Sequence, residues 1–137
     1  MTKYRAKTSY VVETPQGLQL VIPPPHMPRE DVKAWAEEFK AERFDSKKEA
    51  LTYIERRAEQ DAGKIMNLKR QPSFWLEVNG QRICPRRFKL DFEYLRIDNN
   101  PTGKYTIEDV KGLPMRDWKI KWNLVKALYP EYDFIMT

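Results

Sequence analysis

Two short β-like runs open the pattern of this chain, Tyr10–Glu13 and Leu18–Ile22, and Thr14-Pro15-Gln16-Gly17 between them predicts a hairpin. Pro23-Pro24-Pro25 then denies the backbone a regular element and marks a connector. The apolar period changes next: Val32, Trp35, Ala36 and Phe39 fall at i, i+3, i+4 and i+7, one face of a helix. A second helix has clearer limits. Asp45-Ser46 caps its start, Ala50, Leu51, Ile54 and Ala58 give its apolar stripe, and Gly63 stops it. Ile65–Leu68 reads as a short extended piece before Gln71-Pro72, and Phe74–Val78 as a strand. Asn79-Gly80 is a strong two-residue hairpin signal. Over Phe88–Leu95 the alternation places Phe88, Leu90, Phe92 and Tyr94 on one face and Lys89, Asp91 and Glu93 on the other. A turn over 98–103 leads to a strand, Tyr105–Lys111. A helix follows from Asp117 to Leu128, stopped by Pro130, and Tyr132–Met136 makes a last strand.

From Asp45 onward the order is helix, three strands, helix, strand, an α/β arrangement with a mixed central sheet. The chain reads as a single domain, with an accessory hairpin and helix over 1–43 and an αβββαβ core over 44–137. Its 137 residues suffice to bury a core, and 41% hydrophobic with 33% charged residues is ordinary for a globular protein. The alternation lacks the regularity of a Rossmann domain, and no Gly-rich phosphate loop occurs, which argues against a nucleotide hydrolase. Neither a membrane-spanning run nor the apolar stretch of a signal peptide is visible. The lone Cys84 excludes an internal disulfide and a zinc cluster, and His26 is the only histidine, so a cytoplasmic protein is expected. With 25 Lys+Arg against 20 Asp+Glu, the net charge of +5 suits a polyanionic partner, although many soluble domains carry as much.

The candidate chemistry lies in two strands. Asp91 sits in mid-strand on the polar face, while Asp109 and Lys111, two apart, point to one side of the next strand. If the strands are adjacent and antiparallel, the two aspartates face each other across the pair. Unpartnered, they would repel unless a divalent cation lay between them. Mg²⁺ takes hard oxygen ligands, can activate a water and neutralises charge developing on a phosphate. Lys111 would orient or deprotonate that water, or stabilise the crowded phosphorus. The plainer alternative is a weak ion pair on a solvated strand face. Glu49 is similarly double: Ser46-Lys47-Lys48-Glu49 matches a capping box, in which the glutamate reaches back to the helix start.

Taken in order, Glu49 on a first helix, Asp91 in a strand, Asp109-Val110-Lys111 in the next and a Lys-rich helix resemble the PD-(D/E)XK nuclease superfamily. More closely, the chain resembles an uncharacterised family of small phage and prophage proteins placed in that superfamily. The matching pieces are Lys3-Tyr4-Arg5, Phe44 through Ala50, Gln71-Pro72, Asp91-Phe92 and Glu108 through Gly112. The resemblance implies a restriction-endonuclease-like αβββαβ core and a phage- or prophage-encoded, Mg²⁺-dependent DNA endonuclease, with Mn²⁺ as substitute metal. It makes Asp91 and Asp109 metal ligands, joined by Val110 and assisted by Glu49, and Lys111 the catalytic lysine. Gln71 stands where the family keeps a glutamine before its first core strand. The proline of the superfamily's name does not directly precede Asp91; Pro85 lies further upstream. Residues 16–43 are longer than the small phage family leads one to expect. Glu108 falls on the face opposite Asp109 and is expected at the surface or against the second core helix.

Around this site Arg86, Arg87, Lys119 and Lys121 are the expected nucleic-acid contacts, with Lys69-Arg70 and Arg82 as further basic positions. Trp118, Trp122, Val125 and Tyr129 form the apolar stripe of the last helix, and its lysines read equally as solvated charges. No base-reading motif is present. The expected activity is hydrolysis of DNA phosphodiesters, with branched or replication and recombination DNA as one substrate class. The alternative is a catalytically inactive DNA- or protein-binding module that keeps the fold. A homodimer would suit paired cuts, but no residue demands one.

Overall fold

The computed structural model describes residues 8–111 and 114–137. They form a mixed α/β structure with three helices and a mixed four-stranded sheet. Two compact units divide the chain, one ending at Ala58 and the other beginning at Glu59.

In the first unit β1 (Ser9–Thr14) pairs antiparallel with β2 (Gly17–Val21), the hairpin that the sequence predicts. Its turn is closed by the Thr14 hydroxyl, which donates to the Gly17 carbonyl and accepts from the Gln16 N–H. Helix α1 (Arg29–Glu38) buries no residue completely; Trp35 meets the Tyr10 ring edge-on at 5.5 Å, while Phe39, just beyond the helix, stays 52% exposed. A third strand, β3 (Glu42–Phe44), lies on the other side of β1. Helix α2 (Lys47–Asp61) is capped by Ser46, whose Oγ accepts the Glu49 N–H at 3.1 Å. The buried face of α2 differs from the expected stripe. Glu49, Ala50 and Tyr53 are buried, whereas Leu51 is 43% exposed and Ala58 faces water. Tyr53 decides that face, because its ring packs on Phe44 at 5.1 Å and its hydroxyl donates to Glu42.

The second unit is built on the four-stranded sheet. Its first strand is β4 (Ile65–Arg70), followed by two short pairings: β5 (Ser73–Phe74) with β8 (Phe88–Lys89), and β6 (Glu77–Val78) with β7 (Gln81–Arg82). Then come β9 (Phe92–Arg96), β10 (Tyr105–Asp109), α3 (Arg116–Leu128) and β11 (Tyr132–Met136). The sheet order is β11-β10-β9-β4, with β10 and β11 parallel across α3 and the other pairs antiparallel.

Two strand expectations are corrected here. Ile65–Leu68 is part of a full sheet strand, not a minor extended piece, and a bulge hides it from pattern reading. Asn67 adopts φ +57°, the register shifts between Met66 and Lys69, and the Leu68 N–H donates to the Gln60 side chain. Phe74–Val78 is not one strand. Phe74 pairs back to Phe88, whereas Glu77 and Val78 belong to the separate hairpin whose Asn79 and Gly80 both have positive φ, as a type I′ turn requires.

The core of this unit gathers Phe74, Leu76, Phe88, Leu90, Ile107, Trp122 and Val125, with Trp118, Tyr129, Tyr132 and Phe134 packed around them. Trp122 and Val125 carry the predicted stripe of α3 into it. At the far end of α2, Glu59 pairs with Arg96 at 2.8 Å. Among the described residues no helix is long and apolar enough to cross a membrane.

Candidate active site

The Phe88–Leu95 alternation is visible in burial, for Phe88, Leu90, Phe92 and Tyr94 are all buried. The strand itself breaks at Asp91, which occupies a bend rather than mid-strand. The backbone changes partners there: the Leu90 N–H donates to Pro72, and the Asp91 N–H to Glu108 across the sheet. Gln71 supports this bend through its main chain. It directly follows β4, the first strand of the sheet, rather than preceding it; its φ is +57° and its N–H donates to the Asp91 carbonyl at 2.9 Å.

Strands β9 and β10 are adjacent and antiparallel, pairing Tyr94 with Thr106, Glu93 with Ile107 and Phe92 with Glu108. One step further along this register, Asp109 stands opposite Asp91. The Val110 N–H donates to Asp91 Oδ2 at 2.7 Å, which fixes that carboxylate beside the end of β10. Asp109 is only 2% exposed, and its Oδ2 makes no hydrogen bond among the described residues. Lys111 Nζ lies 3.4 Å from that oxygen and 5.1 Å from the Trp118 ring centroid, so the ammonium is held between carboxylate and indole. The Lys111 N–H donates to Thr137 and the Thr137 N–H to Asp109, which ties this segment to the chain beyond β11.

The Asp109 carboxyl is pushed up from 3.8 to about 7, chiefly by burial and next by the Asp91 charge, with Lys111 opposing the rise. A buried, incompletely bonded carboxyl opposite a second one is unfavourable in isolation. Two carboxylates, with the Val110 main-chain carbonyl directly after Asp109 in sequence, offer the hard oxygens that Mg²⁺ prefers, water completing the shell. Among the described residues no group of three or more His, Cys, Asp or Glu is placed to hold a metal, so such a cation would rest on this two-carboxylate set.

The family model described as "Protein of unknown function (DUF1064)" matches residues 30–136. The chain belongs to the DUF1064 family. No curated protein and no solved structure matches it. The span of the DUF1064 match includes Glu49, Asp91, Asp109, Val110 and Lys111, and leaves out the β1–β2 hairpin.

The other expected site residues of this DUF1064 protein are distributed as follows. Glu49 belongs to the first compact unit and is buried in the opening turn of α2, its N–H on the Ser46 cap. Lys119 is exposed on α3, whereas Lys121, Arg86 and Arg87 line one cavity. Lys3-Tyr4-Arg5 and Gly112 lie outside the described residues. For Glu108 the surface alternative is corrected: it lies on the face opposite Asp109, as expected, but is fully buried there. Its two oxygens accept hydrogen bonds from the Tyr94 hydroxyl at 3.0 Å and the Thr137 hydroxyl at 2.9 Å. The signal was the antiparallel register, which brings Tyr94 and Glu108 onto one face. The sequence reading also overlooked Trp75, against which the Arg82 guanidinium lies at 3.8 Å.

Proposed function

We propose that this DUF1064 protein is a Mg²⁺-dependent nuclease that hydrolyses DNA phosphodiester bonds endonucleolytically, on the pattern of the PD-(D/E)XK superfamily. The observation that carries the reading is the opposition of Asp91 and Asp109 on adjacent strands, with Lys111 Nζ 3.4 Å from a buried Asp109 oxygen that lacks a hydrogen bond. The order α2, β4, β9, β10, α3, β11 supports it, being the αβββαβ succession of that superfamily. When bound, the divalent cation supplies charge neutralisation at the phosphate and a more acidic water. The chain's own residues have separable tasks. Asp91 and Asp109 hold the cation, Val110 fixes Asp91, and Lys111 presents a positive charge where negative charge grows on the phosphate.

A cleavage assay tests this. Labelled linear, nicked and four-way-junction DNA are incubated with the protein in Mg²⁺, Mn²⁺ or EDTA, beside Asp109→Ala and Lys111→Ala. Metal-dependent cutting that both variants abolish supports the reading. Intact DNA in both metals, with DNA still bound, replaces it with the alternative of a catalytically inactive DNA-binding module.

A further inference from the structure

A cavity of about 300 Å³ in the second unit is lined by Leu76, Phe88, Cys84 and Pro85 and by the cations Arg86, Arg87 and Lys121. Its floor is apolar, because Leu76 and Phe88 of the buried core lie beneath the half-buried Cys84 and the exposed Pro85. Its rim is cationic, and among the described residues no carboxylate pairs with any of the three charges. Like charges gathered around one hollow repel, and an anion relieves them. The arrangement is braced before any ligand arrives. Arg87 lies 5.3 Å from the Trp75 ring centroid, Arg82 lies against the same ring, and the Tyr129 hydroxyl donates to the Trp75 carbonyl at 2.8 Å.

A bare phosphate would use the rim and leave the apolar floor wet. The volume would hold on the order of ten waters at about 30 Å³ each, and it sits at the small end of organic-ligand pockets. A planar apolar body attached to an anion uses both halves. The cavity is also close to the proposed cutting site. Phe88 is three residues before Asp91, roughly 10 Å of extended chain at most. Its ring lies 6.3 Å from Trp118, the same indole that Lys111 contacts.

We infer that this cavity receives one unstacked nucleotide of the bound DNA strand, its phosphate on Arg86, Arg87 and Lys121 and its base against Cys84 and Pro85, above Leu76 and Phe88. Only an unpaired base enters without first breaking a pair, so the substrate class narrows to DNA with unpaired nucleotides beside the cut, as at branches and single-strand gaps. This rests on the nuclease reading for the meaning of "cut", but the binding itself does not.

Binding is measured in EDTA by anisotropy, using one labelled duplex that is fully paired and one with a single unpaired 2-aminopurine nucleotide. Inorganic phosphate serves as competitor. The expected result is at least about tenfold tighter binding of the unpaired duplex, with a change in 2-aminopurine fluorescence. The double variant Arg86→Ala/Arg87→Ala and the cavity-filling Cys84→Trp should both erase that preference, with circular dichroism confirming the fold. Should Cys84→Trp not fold, Lys121→Ala takes its place. Equal affinity for the two duplexes overturns the proposal. So does competition by phosphate without any preference, which would mean an anion site alone. Preference without cleavage in Mg²⁺ or Mn²⁺ sinks the nuclease reading and leaves the pocket standing; cleavage without preference does the reverse.

Discussion

Replacing Asp109 by asparagine removes one charge and little volume, and its effect on stability should depend on pH in a way that few other substitutions share. The folded-state carboxyl titrates near 7 instead of 3.8, chiefly because it is buried. Between those values the folded state holds a proton that the unfolded state has released, so stability falls as pH rises from about 4 to 7 and is level above. At about 1.4 kcal/mol per unit, the full shift would remove about 2.5 kcal/mol between pH 5 and pH 8. Asp91 and Lys111 are only half-buried, so solvent screens the pair and about 1.5 kcal/mol is the fairer figure. The asparagine variant lacks this contribution. Urea denaturation of both proteins in EDTA at pH 5 and pH 8 isolates it, since the other titrating groups cancel in the difference. The variant should gain about 1.5 kcal/mol on the wild type between the two pH values. A difference that stays constant to within about 0.5 kcal/mol would refute the claim that a buried charge at Asp109 strains the metal-free protein.

Three further outcomes follow from the same structure. Mn²⁺ at about a hundred times its dissociation constant should stabilise the wild type by about 2.7 kcal/mol at pH 8, read as a rise in Tm, and should leave Asp109→Asn almost unmoved; equal rises would place the metal elsewhere. Glu108→Ala strips the Tyr94 and Thr137 hydroxyls of a fully buried partner and should cost about 2–4 kcal/mol in urea denaturation, whereas a loss under about 0.5 kcal/mol would return Glu108 to the surface role. Gly80→Ala meets open space but must hold φ at +79°, so it should destabilise the Glu77–Arg82 hairpin by about 1 kcal/mol, seen as faster amide exchange there; unchanged protection would mean that the turn is not type I′.

The chain alone was sufficient wherever structure is decided by neighbours in sequence. Thr14-Pro15-Gln16-Gly17 and Asn79-Gly80 turn because of their own backbone preferences, Ser46 caps α2, and Tyr132–Met136 is bounded by Pro130. The alternation through Phe88–Tyr94 also survived, because burial of every second residue is what a sheet imposes on one strand. With it came the prospect that Asp91 and Asp109 oppose each other, stated as a condition on strand pairing.

Only the tertiary structure supplied that pairing, and with it everything that depends on partners distant in sequence. Pairing with β9 made the short extended piece at Ile65–Leu68 into the first strand of the sheet despite the bulge at Asn67, where the Leu68 N–H is satisfied on Gln60. Glu108 looked like a surface charge until the register placed Tyr94 and Thr137 beside it, since a buried carboxylate is tolerated where its oxygens are bonded. Arg86, Arg87 and Lys121 read as scattered basic residues, and no local rule brings a hairpin return and a helix thirty-odd positions later around one hollow. Local propensities are set over a few residues. Burial and convergent charge are set by which surfaces meet, and that is a property of the folded chain alone.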